Sequence, residues 1–177
     1  MFGLFKTKEI NSEQLKTNIT EVVLNAWVNN QNLRHDKFDS FVRLSKASGN
    51  TVKPEKFMTE KLRYITSVAV ISLRKAGVDE LIIDEIINNI KTEVNSAETR
   101  GASAALGLKS KEYAEIRFST NPREAGKLTE NKFSQESFGY TPSNSDTDRR
   151  YTLYKALSSF ERSVIFEISS AIRKSRI

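Results

Sequence analysis

The stretch that decides the fold runs from Pro54 to Gly77 and reads PEKFMTEKLRYITSVAVISLRKAG. Its apolar residues recur at three- and four-residue spacing and form two offset stripes, which is typical of a helix buried among other helices. Proline suits a first helical position and glycine the position just past the end, so we predict a helix over Pro54–Ala76. The β-branched residues within Tyr64–Leu73 leave a strand as the alternative.

Apolar residues at helical spacing also occur on both sides of this central segment. The further predicted helices are Ile10–Asn29, Asp36–Ala47, a segment that Asp79 caps and 148–173, and Ser110–Ser119 fits one more short helix. Asn11 and Asp79 stand where a side chain can cap the first turn of the helix that follows. The sequence therefore predicts an all-α fold, a bundle of about five helices.

Polar residues, prolines and glycines dominate the chain between residues 119 and 147. Because such residues favour turns, we predict an irregular arm there, although its aromatic residues argue against a fully solvated linker. The predicted organisation is a single domain with a helical core over 1–118, a polar connecting arm over 119–147 and a C-terminal helix over 148–177. The small residues of 101–107 fit either a hinge or a close-packed helix end.

The C-terminal helix carries a long apolar side that must be buried somewhere. Two solutions remain open, since the helix can fold back on its own core or pair with a second subunit. We favour a homodimer through this helix, because the predicted arm is long enough to carry it away from its core. The candidate interface residues are Leu153, Leu157, Phe160, Val164, Ile168 and Ile172.

The chain has a single histidine, His35, and no cysteine. This composition removes most routes to nucleophilic, acid–base and transition-metal chemistry, so we predict no catalytic residues, no metal and no cofactor. Asp36, next to His35, has a sufficient role as a helix cap. The segment Asn121–Lys127 departs from a phosphate-binding loop, since it begins with asparagine and is followed by Leu128 where serine or threonine should stand. Glu112 and Glu115 fit surface ion pairs with Lys111 and Arg117 better than a cation site.

The net charge of +6 is unevenly placed, because residues 79–98 contain six acidic residues and one basic residue. Either the basic first half complements this acidic helix internally, or it leaves a basic face for an anionic partner. The segment 34–75 is the candidate for contacts with nucleic acid or another anion. The candidate contact residues are Arg34, Lys37, Arg43, Lys46, Lys53, Lys56, Lys61 and Arg63.

The function that we predict is that of a non-enzymatic interaction or regulatory protein acting through helical surfaces, with a protein partner or a second copy of itself. The alternative is a nucleic-acid-associated protein that uses the basic segment 34–75. A third possibility is peripheral membrane association through residues 1–8, where three large apolar residues precede two lysines. The lack of cysteine, of a signal peptide and of a membrane-length apolar run predicts a cytoplasmic location.

Overall fold

The computed structural model describes residues 10–28, 43, 54–96, 111–119, 121–139, 141–143 and 145–176. Within these ranges the protein has six α-helices and no strand, apart from an isolated antiparallel bridge between Ile10 and Arg176. The all-α prediction is therefore confirmed. The helices are α1 (Ser12–Val28), α2 (Pro54–Lys75), α3 (Glu80–Ser96), α4 (Glu112–Ser119), α5 (Pro122–Phe138) and α6 (Thr147–Lys174).

Short-range signals in the sequence set several of the helix ends. The Asn11 side chain accepts a hydrogen bond from the Gln14 amide at 3.1 Å and so caps α1. The Asp79 carboxylate accepts one from the Leu81 amide at 2.8 Å at the start of α3. Beyond the end of α2, Gly77 has a φ of 75°, the left-handed conformation that glycine adopts most readily.

Helix α2 lies at the centre of the bundle and contacts all five other helices. Both of its predicted apolar stripes are buried, so a helix with more than one apolar side has found neighbours on those sides. The buried members of the two stripes are Leu62, Tyr64, Ile65, Val68, Ala69, Ile71 and Leu73. The strand alternative for Tyr64–Leu73 is therefore wrong.

Helix α1 runs antiparallel to both α2 and α6. At its end, the Trp27 indole nitrogen donates to the Met58 carbonyl oxygen at 3.0 Å, near the start of α2. At its beginning, the backbone amide of Asn11 donates to the Ser175 carbonyl oxygen at 2.8 Å, just beyond the end of α6. The two ends of α1 are thus fixed against opposite ends of the bundle.

The irregular arm predicted for 119–147 is wrong, because α5 occupies most of it. Asn121 caps this helix by accepting a hydrogen bond from the Glu124 amide at 3.0 Å, and Gly139 ends it in a left-handed conformation. Phe133 and Phe138 are buried against Phe57, with ring centroids 6.1 and 5.8 Å away. These aromatic contacts hold the segment in the core.

The apolar side of α6 is buried within the same chain, against α1 and α2. The six residues predicted as a dimer interface are therefore part of the core of one chain, and the prediction is corrected on this point. Their exposed fractions do not exceed the 6% of Ile172, for Leu153, Leu157, Phe160, Val164, Ile168 and Ile172. Folding back on the core was the alternative that the sequence left open.

None of the described helices is long and apolar enough to cross a membrane. The predicted helix Asp36–Ala47 lies outside the described residues except for Arg43, which is helical. Residues 1–8 and 101–107 also lie outside them.

Candidate interaction surface

The predicted anion-contact residues do not form one exposed surface. Arg43 and Lys56 are exposed, whereas Lys61 is buried and Arg63 is half-buried. Arg63 pairs with Glu60 of its own helix at 2.8 Å. The others, Arg34, Lys37, Lys46 and Lys53, lie outside the described residues. Two members of the predicted set are thus engaged inside the bundle.

Lys61 forms a hydrogen bond at the C-terminal end of helix α1. Its Nζ atom donates to the Trp27 carbonyl oxygen at 2.9 Å and lies 5.8 Å from the centre of the Phe160 ring. Burial lowers the pKa of Lys61 to about 8. The last carbonyl groups of a helix lack partners within that helix, so this ammonium group satisfies one of them. Its role in the described structure is to join α1, α2 and α6.

A buried carboxylate, Glu60, lies between α2 and α4. One of its oxygens accepts a hydrogen bond from the Tyr113 hydroxyl, and the other accepts one from Arg63. Burial raises the pKa of Glu60, while Tyr113 and Arg63 oppose that rise. Because both oxygens are occupied, Glu60 could not accept a proton from a substrate without breaking these contacts.

A second polar contact joins α6 to α2 and α4. The Tyr64 hydroxyl donates to the Glu161 carboxylate at 2.9 Å, and Arg117 of α4 pairs with that same carboxylate. Burial raises the pKa of Tyr64, and the Glu161 charge adds to the rise, so the hydroxyl remains a donor at neutral pH. Satisfied networks of this kind specify how helices pack, and we interpret both contacts as structural.

The acidic helix α3 is neutralised by its own chain. Glu80 pairs with Arg74 at 2.5 Å and with Lys111 at 3.1 Å, and Asp84 pairs with Lys111 at 2.7 Å. The hydrogen bond from Arg74 lowers the pKa of Glu80 to about 2. These pairs favour the internal complementarity that the uneven charge suggested over an acidic surface kept for a partner.

The ion pairs of α4 also differ from those predicted. Glu112 pairs with Lys132 of α5 at 2.6 Å, and Arg117 pairs with Glu161 of α6. Neither pair joins neighbours along the helix, since tertiary packing brings these partners closer than the local spacing does.

The outward side of α6 is the one surface among the described residues where large apolar side chains gather in solvent. Its apolar members are Phe166, Tyr151, Tyr154 and Ile165, which are 66%, 58%, 52% and 36% exposed. Their spacing places them on one side of the helix, opposite its buried side. Lys155 and Arg162 lie between them and are exposed. We call these six residues the outer stripe.

The charged residues of the outer stripe, and of its continuation at Arg173, are all cations. Lys155 lies 4.4 Å above the Tyr151 ring, within the range of a cation–π contact. In the described part of the chain, neither Lys155 nor Arg162 has a carboxylate within ion-pair distance. Of the nearest carboxylates on α6, Glu161 is turned into the bundle, and Glu167 is exposed but lies about 100° around the helix from Phe166, away from the stripe.

Among the described residues, the remaining sequence candidates form no reaction centre. Asn121–Lys127, which was compared with a phosphate-binding loop, forms the cap and first turns of α5. Within the described residues, histidine, aspartate and glutamate side chains form no group of three that could hold a metal ion. His35 and Asp36 lie outside those residues.

The outer stripe is absent from the sequence predictions, although the sequence carries a signal for it. Tyr151 lies opposite Phe160 on a helical wheel, and Tyr154 and Phe166 lie within about 60° of Tyr151 on either side of it. A helix with large apolar residues on two sides is normally packed against neighbours on both of them. One of the two sides of α6 also carries cations.

The chain matches no protein-family model, and no curated protein or solved structure is significantly similar to it. Function is therefore inferred from the geometry alone.

Proposed function

We propose that this protein is a non-enzymatic interaction protein that binds a partner through the outer stripe of α6. The observation that carries the proposal is the exposure of Tyr151, Tyr154, Ile165 and Phe166 on one side of a single helix. Exposed apolar patches with a polar rim mark interaction sites, and tyrosine, phenylalanine and arginine are enriched in such sites.

The packing of α6 supports a binding role for its outward side. Phe160, on the opposite side, is 1% exposed, and Glu161 is held by Tyr64 and Arg117. These contacts fix the helix before any partner arrives. A surface that is already ordered loses little conformational entropy on binding, so more of the contact energy is available for affinity.

The other predicted functions receive less support from the described residues. In the basic segment 34–75, Lys61 and Arg63 are engaged inside the bundle. The predicted membrane contact at residues 1–8 lies outside the described residues. The cytoplasmic location stays a prediction from composition.

Site-specific photo-crosslinking in the source cells tests the proposal. A photoreactive phenylalanine derivative replaces Tyr154 or Phe166, one position at a time. Glu124, which is exposed on α5, takes the same replacement as the matched control. We expect a discrete adduct from both α6 positions and none from position 124, with mass spectrometry identifying the captured molecule.

Adducts of equal yield at all three positions would contradict the proposal, because they would report random encounters. Absence of adducts at both α6 positions would contradict it as well. A captured nucleic acid instead of a protein would promote the alternative function.

A further inference from the structure

We infer that the partner presents an acidic amphipathic helix, which packs lengthwise along the outer stripe. This inference rests on the proposed function and adds the chemistry of the partner to it. Helices recognise one another by inserting apolar side chains between those of the facing helix, and charged residues within or beside the contact pair with opposite charges on the partner.

The spacing of the apolar side chains fits a helix as the occupant. Tyr151 and Tyr154 form one apolar end of the stripe, and Ile165 and Phe166 form the other. At 1.5 Å per residue these ends lie about 20 Å apart. Ser158 lies between them, and its small side chain leaves room for a second backbone to approach. A partner helix of about four turns spans this distance and places an apolar side chain at each end.

The positive charge of the stripe indicates that the facing residues of the partner are acidic. Lys155 and Arg162 are seven residues apart on the same side of α6, and Arg173 continues the row towards the helix end. Aspartate and glutamate on the partner helix, between its two apolar ends, would face and pair with these cations. Such complementary charges raise the association rate and select against basic helices.

The same charges disfavour a second copy of α6 as the occupant. An antiparallel pair that places Tyr151 opposite Phe166 also places Lys155 opposite Arg162. A parallel pair places each cation opposite its own copy. Like charges that face each other oppose association, so symmetric pairing through this stripe is disfavoured.

Membranes and single-stranded nucleic acid fit the stripe less well. A helix that lies in a membrane surface needs a continuous apolar face, whereas Ser158 and Arg162 interrupt this one. Successive stacked bases need closely spaced aromatic rings, whereas Tyr154 and Phe166 lie about 18 Å apart along the helix.

A displayed library of about 20-residue amphipathic helices tests the inference. Its members vary the apolar positions at the two ends, and one half carries Asp or Glu at the positions between these ends while the other half carries Lys or Arg there. The selected helices are then titrated against the natural protein, a Tyr151→Ala, Phe166→Ala variant, and Arg162→Glu. Lys127→Glu, on the exposed side of α5, serves as the charge-reversal control.

We expect enrichment only from the acidic half. Binding should weaken tenfold or more in the double variant and in Arg162→Glu, and should stay unchanged in Lys127→Glu. Enrichment from the basic half, or from neither half, would overturn the inference. Helices that bind the double variant as tightly as the natural protein would also overturn it, as would displacement by oligo-deoxythymidine or by vesicles of anionic phospholipid.

The two experiments separate the two claims. Adducts at positions 154 and 166 without enrichment of acidic helices would leave the proposed function standing and refute the partner chemistry. Failure of both experiments would refute the proposed function itself.

Discussion

Both sides of helix α6 carry large apolar residues, but the two sides have different neighbours. On the inward side, Phe160 is 1% exposed and packs among other helices, whereas on the outward side Phe166 is 66% exposed. The fully buried residues of the inward side are all apolar, whereas the outward side is interspersed with Lys155 and Arg162. Apolar periodicity alone therefore does not tell which side of a helix the chain itself covers, and under the proposed function the interspersed cations mark the side that a partner covers.

The largest expected effect comes from truncating one phenylalanine on each side. Phe160→Ala should lower the free energy of unfolding by about 3–5 kcal/mol, because it leaves a cavity in the core. Phe166→Ala should change it by less than about 0.5 kcal/mol, because the ring is in solvent. Denaturant titrations of both variants measure this difference. Equal losses would mean that the outward side is also part of the core.

A second comparison uses two glutamates of α6 and the same change of charge. Glu161→Gln should cost about 1–3 kcal/mol, because it weakens the hydrogen bonds to Tyr64 and Arg117. Glu167→Gln, at an exposed position, should cost less than about 0.5 kcal/mol. Denaturant titration again provides the measurement. An inert Glu161→Gln would show that this contact does not hold α6 in place.

The burial of Lys61 near the Phe160 ring predicts that the stability of the fold depends on pH. Its pKa is lowered to about 8 by burial, from an ordinary value of 10.5, so the unfolded chain binds more protons between these values. Stability should therefore rise with pH across this window, with a slope of up to about 1.4 kcal/mol per pH unit.

The test of this slope compares unfolding of the natural protein and of Lys61→Met across that pH range. The difference between their stabilities should grow in favour of the natural protein as the pH rises. Lys56→Met, at an exposed position, is the control and should run parallel to the natural protein. A Lys61→Met variant that also runs parallel would contradict the burial of this ammonium group.

The smallest expected effect is that of the outer stripe on the oligomeric state. The inward side of α6 is covered within one chain, and the outward side bears like charges, so sedimentation equilibrium should give the 20.1 kDa monomer. Tyr151→Ala with Phe166→Ala should leave that mass unchanged. A dimer that dissociates in this double variant would restore self-association and identify the outer stripe as its interface.

The sequence predicts the central part of the fold well, because the signals there are local. Pro54, Gly77 and the apolar spacing between them define α2, and Asp79 marks the start of α3. Helix α5 could not be predicted in the same way. Its buried positions include Thr129, Ser134 and Ser137, which look like surface residues until a neighbouring helix covers them.

The candidate surfaces were harder to predict, because exposure depends on tertiary packing. Lys61 belongs to a basic segment, yet its ammonium group lies in the interior, where the Trp27 carbonyl oxygen accepts its hydrogen bond. Leu153 and Phe160 were correctly identified as needing cover, but their spacing does not tell which chain supplies it. The outer stripe becomes visible only after the inward side of α6 has been assigned to the core.

The most direct test of the account is a Tyr151→Ala, Phe166→Ala protein that carries the photo-crosslinker at position 154, with unfolding and adduct yield measured on the same preparation. The account predicts a free energy of unfolding within about 1 kcal/mol of the natural protein, and an adduct yield that is at least tenfold lower. A loss of several kcal/mol would show that the outward side supports the fold. An unchanged adduct yield in a stable protein would show that the partner binds elsewhere.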